Sequence, residues 1–148
     1  MRYHEIMSES DDLLAWFGSS KIVDEQGDPL VCYHATEQAP FDAFDPERHG
    51  KRLTLPSSGL GIFFSPSDSV RHSYGPNVMR AYLRIERPYQ IRLEALNRFS
   101  REDIPSWRSE IERKGHDGII ATVGSKPWEF VVFSPTQVKK LGWDKREY

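Results

Sequence analysis

Apolar positions along the chain recur with two periods, and the period separates strands from helices. In "PLVCYHATE" the two-residue period puts Leu30, Cys32 and His34 on one face of a strand and Val31 and Tyr33 on the other. That strand is expected to end on His34, and a turn over Glu25–Asp28 with Gly27 joins it to an earlier strand in "KIVDEQGDP". "GIFFS" is a second short strand. "NVMRAYLRIERP" is a longer one, with Met79, Ala81, Leu83 and Ile85 facing one way and Arg80, Tyr82 and Arg84 the other. Pro88 ends or edges it. "DGIIATVGSKPWEFVVFS" has the pattern of a hairpin with its tip at Gly124–Pro127.

Helical spacing appears in "SDDLLAWFG", where Leu13, Leu14 and Phe17 form a stripe that Gly18 stops. It recurs in "REDIPSWRSEIERKG", with Ile104, Trp107 and Ile111 on one side. "SPSDSVRHSYG" reads as a helix ending at Gly75. "SPTQVKKLGW" carries a capping box, Ser134 with Gln137, and fits a short helix or a bent strand equally well. Hairpins outnumber regular crossovers in this order of elements. The expected fold is therefore α+β, a mainly antiparallel split sheet with flanking short helices.

A long irregular stretch, "ATEQAPFDAFDPERHGKRLTLPSSGLG", separates the first two strands. A loop of that length in so small a chain is usually functional. The 148 residues suit one domain, and 38% hydrophobic with 12% aromatic content is enough for a folded core. With 20 basic and 22 acidic residues, the net charge of −2 gives no global basic footprint and weighs slightly against nucleic acid as a partner. The single cysteine, Cys32, excludes an internal disulfide and reads as a small core residue. "MRYHEIMSES" has no long apolar centre and no later run approaches a membrane span. The expectation is a soluble cytoplasmic protein without a membrane partner, delivery by a dedicated system being left open. His4, His34, His49, His72 and His116 are scattered, so no metal site is expected.

Three separated segments carry more. "VCYHAT", "GIFFSPSDSVRHSY" and "WEFVVFSPTQVKKL", in this order, resemble the ADP-ribosyltransferase superfamily, in its His-Tyr-Glu branch of diphtheria-toxin and poly-ADP-ribose-polymerase type. "WFGSSKIVDEQGDPLVCYHAT" is similar to the small ADP-ribosyltransferase domains of bacteria, phages and polyvalent proteins. The likeness spans roughly residues 13 to 140. It implies one ADP-ribosyltransferase-like domain over 1–148, with an N-terminal helical segment at 1–18 and a catalytic core at 19–148.

The resemblance also implies roles. His34 would reach the ribose hydroxyls of NAD. The backbone N–H and C=O of Ala35, where the family usually has Gly, would hold the nicotinamide amide, and Thr36 would reach the adenosine ribose. Phe63, in place of the family's first tyrosine, and Tyr74, eleven residues on, would sandwich the nicotinamide ring. Glu129 would accept a hydrogen bond from the 2′-hydroxyl of the nicotinamide ribose and stabilise an oxocarbenium-like transition state. Arg52, with Arg48 and Lys51 in the long loop, would offset phosphate charge. Pro127 stands where arginine-modifying members carry an acid or amide, so arginine is a less expected target. Lys126 and Trp128 sit where an acceptor would approach.

The expected activity is NAD-dependent transfer of ADP-ribose to a macromolecular acceptor, a protein first, without a metal. The protein would be a bacterial toxin or effector, or a phage-encoded modifier, and an immunity or antitoxin partner would fit such biology. Two alternatives stay open. One keeps the chemistry and changes the acceptor to nucleic acid, a small molecule or water. The other is a non-catalytic module that binds NAD or ADP-ribose.

Overall fold

A computed structural model describes residues 12–36, 59–67 and 75–145. The described chain forms two sheets that meet at one seam. A three-stranded sheet has the order β1-β3-β7, with β1 at Cys32–Thr36, β3 at Asn77–Leu83 and β7 at Val138–Lys145, all antiparallel. A four-stranded sheet has the order β2-β6-β5-β4, with β2 at Ile62–Phe64, β4 at Pro88–Arg92, β5 at Gly118–Val123 and β6 at Lys126–Val132. The α+β class with a mainly antiparallel sheet, expected from the apolar periods, is what the chain adopts. No helix among the described residues is long and apolar enough to cross a membrane.

The inward positions of both sheets form one core. Cys32, Met79, Ala81 and Leu83 from the first sheet pack with Ile62, Phe64, Ile120, Phe130 and Val132 from the second. Burial pushes the Cys32 thiol far up, so it stays protonated and packs as a small apolar side chain. A second core lies on the other face of the four-stranded sheet, where Ile119, Ala121 and Val131 pack on Leu96 of helix α2 (Leu93–Leu96) and on Ile104 and Ile111 of helix α3 (Ile104–Arg113). In α3 the expected apolar positions do face this core.

Several expectations change in detail. Strand β1 runs on through Ala35 and Thr36, so His34 lies inside it. The strand before it shrinks to a single bridge, Val23 to Pro29. Its turn is held by Asp24, whose carboxylate accepts from the N–H groups of Gln26 (2.9 Å) and Asp28 (3.0 Å), with Gly27 at φ +85°. Pro88 opens a strand of its own, β4, which pairs parallel with β5, so α2 and α3 form a true crossover. The hairpin tip is Gly124–Ser125, and Pro127 lies inside β6. "SPTQ" is a 3-10 turn at Pro135–Gln137, followed at once by β7. In the first helix, α1, whose described part is 12–17, Phe17 is buried but Leu14 is 59% exposed. The expected helix before Gly75 lies outside the described residues.

One buried amide joins the two sheets away from the seam. The Gln137 side chain accepts from the N–H groups of Phe133 (3.0 Å) and Ser134 (2.9 Å) and donates to the carbonyls of Arg84 (2.9 Å) and Asp117 (2.6 Å). A leucine at this place leaves four backbone groups without that partner. Gln137→Leu is therefore expected to lower the unfolding free energy by roughly 3–5 kcal/mol, measured by urea denaturation.

Candidate functional site

The site lies where the sheets join. Tyr33 of β1 and Ser65, one residue beyond β2, exchange both backbone hydrogen bonds at 2.8 Å each. In an antiparallel pair the next such exchange falls two residues on, between Ala35 and Phe63. It does not form. The His34 ring fills that place instead, and its Nδ1 lies 2.7 Å from the Phe63 carbonyl. A carbonyl only accepts, so Nδ1 carries the proton and Nε2 is the acceptor nitrogen of the neutral ring. The ring also leans on Phe64, 5.3 Å between centroids.

This substitution frees backbone. The N–H and C=O of Ala35 point to the same side of β1 as those of Tyr33, away from β3. On that side Ala35 has no strand partner among the described residues, although its side chain is buried. A donor and an acceptor on one residue therefore face the splay between β1 and β2. Gly61 sets the position of β2: a Cβ there would collide with the carbonyl of Val132 and with Val131. Arg108 of α3 clamps the same region. It donates to the carbonyls of Leu60 (3.1 Å) and Phe133 (2.8 Å), with its guanidinium 4.8 Å from the Phe133 ring centroid.

Glu129 is on the other side of β2. It lies opposite Ala121 on β5, and the register of β2 on β6 carried one residue on brings Ser65 alongside it. Its neighbour Trp128 is the extra residue of a bulge, because Ala121 faces Glu129 while Thr122 faces Pro127. The bulge leaves Trp128 55% exposed beside the carboxylate. Burial pushes the Glu129 carboxyl above its ordinary range. Phe63, half-buried opposite Val131, shares the Glu129 face. Thr36 is half-buried opposite Asn77, two residues beyond His34 on the same face of β1.

His34, Ala35, Phe63 and Glu129 thus come from β1, β2 and β6, three strands that are neighbours at this seam. Tyr74 and Arg52 lie outside the described residues, as do Arg48 and Lys51. Tyr33 and Ser65 were not singled out by their residue types. They form a cross-strand row with Glu129, and the alternation in "LVCYH" had already set Tyr33 on the face opposite His34.

A carboxyl raised by burial has a sign for stability. Its folded pKa exceeds the unfolded value near 4.3, so its stabilising contribution is full below that value and is lost as pH rises through the folded pKa. Glu129→Gln removes that loss. The variant is expected to melt higher than wild type at pH 7, and the gap should close at pH 4; thermal unfolding at the two pH values checks this.

Residues 24–145 match a family model described as ADP-ribosyltransferase in polyvalent proteins. No curated protein matches the chain.

Proposed function

Because the chain belongs to the ADP-ribosyltransferase family of polyvalent proteins, we propose that it cleaves nicotinamide from NAD and transfers ADP-ribose to a macromolecular acceptor. The observation that carries this reading is the splay of β1 from β2. A carboxamide needs one donor and one acceptor side by side, and the Ala35 C=O and N–H offer that pair at the edge of a strand. Phe63, on the neighbouring strand, supplies an aromatic face for a planar ring. In this reading Tyr74 closes the ring from the opposite side, Thr36 reaches the adenosine ribose and Arg52 meets the diphosphate.

His34 and Glu129 then divide the ribose. The Phe63 carbonyl fixes the imidazole tautomer, so Nε2 accepts from a ribose hydroxyl without a rotamer search. The Glu129 carboxylate accepts from the 2′-hydroxyl. As the C1′–N bond breaks, its electron pair passes to the pyridinium nitrogen and neutral nicotinamide leaves. Positive charge grows on C1′ and the ring oxygen. A carboxylate held in a partly dried site stabilises that charge more than it stabilises the ground state. The acceptor nucleophile bonds to C1′ and loses its proton to water. Lys126 and Trp128, exposed at and beside the β6 bulge, flank its approach. A toxin, effector or phage modifier, working in a cytoplasm and held by an immunity partner, is the biology this chemistry suits.

Nicotinamide release from NAD by purified protein tests the reading. Glu129→Gln is expected to lower the rate about 10²–10³-fold, with NAD binding by calorimetry retained. His34→Ala should weaken both. The wild-type rate is expected to fall on acidification with a midpoint above the ordinary glutamate value of about 4.3, since the carboxylate form works and burial raises its pKa. NAD binding without release, in wild type and variant alike, would instead support the non-catalytic module.

A further inference from the structure

Strand register sets Ser65 against Glu129. Ser65 gives both its N–H and its C=O to Tyr33 of β1, at 2.8 Å each, so neither points toward β6. Phe64 and Phe130 form the last pair of the β2–β6 ladder, and one residue on Ser65 meets Glu129. In an antiparallel ladder that place is the non-hydrogen-bonded kind, where side chains stand closer together. Residues so placed have Cβ atoms about 4.5–5.5 Å apart. Both Ser65 and Glu129 are half-buried.

Each of these side chains lacks what the other offers. The Ser65 Oγ accepts from the Ser67 N–H at 3.1 Å, a turn that holds the oxygen and leaves its own proton to donate. An ionised carboxylate only accepts. Burial raises the Glu129 carboxyl, and no hydrogen bond or charged side chain among the described residues offsets that rise. The groups around it explain why. Ala121 and Thr122 of β5 and Phe63 of β2 are uncharged, and Tyr33 is the titratable side chain on the same row. Lys126 lies three residues back on β6. Helices α2 and α3 meet this sheet face through Leu96, Ile104 and Ile111, and Arg108 of α3 is held by the carbonyls of Leu60 and Phe133.

Resting on the NAD reading above, we propose that Ser65 is a positioning residue for the reaction: its hydroxyl donates to the ionised Glu129 carboxylate, holding one oxygen and leaving the other for the ribose 2′-hydroxyl. In the free chain the two side chains are neighbours with no bond between them. At a Cβ separation of about 5 Å, rotation of the Glu129 side chain closes the contact without any backbone change. The Ser67 N–H, the Ser65 hydroxyl and the carboxylate then form a chain in which each hydrogen bond polarises the next. Such a bond is worth most when the carboxyl is charged. It also removes a rotational search from a group that must face C1′ as the glycosidic bond breaks. The backbone pairing with Tyr33 needs no hydroxyl, so any small residue would serve that part.

Two measurements test this. NMR titration of the Glu129 carboxyl, assigned by its loss in Glu129→Gln, reads the contact without NAD. Nicotinamide release from NAD across pH reads its use. Ser65→Ala should raise the Glu129 pKa by about one unit, as loss of a charge-assisted bond does. Release at a pH where the carboxyl is ionised should fall about tenfold. The acid limb of the rate should move to higher pH by the same amount, because the carboxylate form works. NAD binding by calorimetry should stay within about twofold. Ser65→Thr should keep the wild-type values. Ser65→Cys, a weaker donor of similar size, should follow alanine and stands in for it if alanine fails to fold. A serine that only shapes the turn to Ser67 would lower the melting temperature and leave the carboxyl pKa and the acid limb in place. That result overturns the proposal, as does an unchanged rate in Ser65→Ala. A pKa raised in Ser65→Ala with no nicotinamide release by wild type keeps the contact and overturns the NAD reading, and the positioning role with it.

Discussion

Everything at the seam depends on one backbone pairing that β1 and β2 do not make. β2 pairs with β6 over Ile62–Phe64 and with Tyr33 of β1 at Ser65, as an interior strand does with its two neighbours. Two residues on, the Ala35–Phe63 pair is missing, and the His34 imidazole takes the Phe63 carbonyl at 2.7 Å. That contact satisfies the Phe63 carbonyl and leaves the N–H and C=O of Ala35 without the ladder partner they would otherwise have. What changes is pairing: on the β2 side Ala35 has no strand partner among the described residues. Gly61 and Arg108 support the arrangement from behind, one by permitting close approach to β6 and the other by clamping the ends of β2 and β6.

Glu129 shows the opposite balance of stability and chemistry. Its strand continues as Phe130, Val131 and Val132, all buried, and an apolar residue would suit its own position better. Burial raises the carboxyl, which means the ionised form is held against a cost. A structural role would be served as well by glutamine. The bulge at Trp128 turns the chain just before this residue, so an exposed tryptophan stands beside a half-buried acid.

The class of the fold was legible because periodicity reports burial directly. Met79, Ala81 and Leu83 are buried as their spacing implies, and the capping box of Ser134 and Gln137 forms as written. Three features were not legible for physical reasons. β4 is a short strand, "PYQIR", led by proline and mixed in polarity, and its pairing is a long-range parallel contact that no local signal encodes. The stop expected at His34 was misplaced because a histidine that bonds a neighbouring strand is compatible with continued β geometry. The Leu14 stripe failed because Trp16, rather than Leu14, turns toward the sheet, its indole N–H donating to the Thr136 carbonyl. Of the site, the residue types at His34, Phe63 and Glu129 stood out in the sequence, whereas the row through Tyr33 and Ser65 exists only once three strands are in register.

The two polar groups proposed to hold one ribose stand on opposite faces of the joined sheet. His34 shares its face with Cys32 and contacts Phe64 in the core between the sheets, whereas Glu129 shares its face with Val131 and Phe63. In a continuous sheet, groups on opposite faces are separated by the backbone layer and cannot meet on one sugar. They can meet only where the layer is interrupted, and among the described residues the interruption is the splay beyond Tyr33 and Ser65. In the proposed reading a ribose there would lie in the plane of the missing ladder, with the nicotinamide amide on Ala35 and the C1′ edge toward Glu129. Closing the splay, by restoring an Ala35–Phe63 pair, would add backbone hydrogen bonds and remove the place where both groups converge. The fold therefore forgoes a short stretch of sheet at this seam, and the proposed grip on a sugar from two sides depends on that omission.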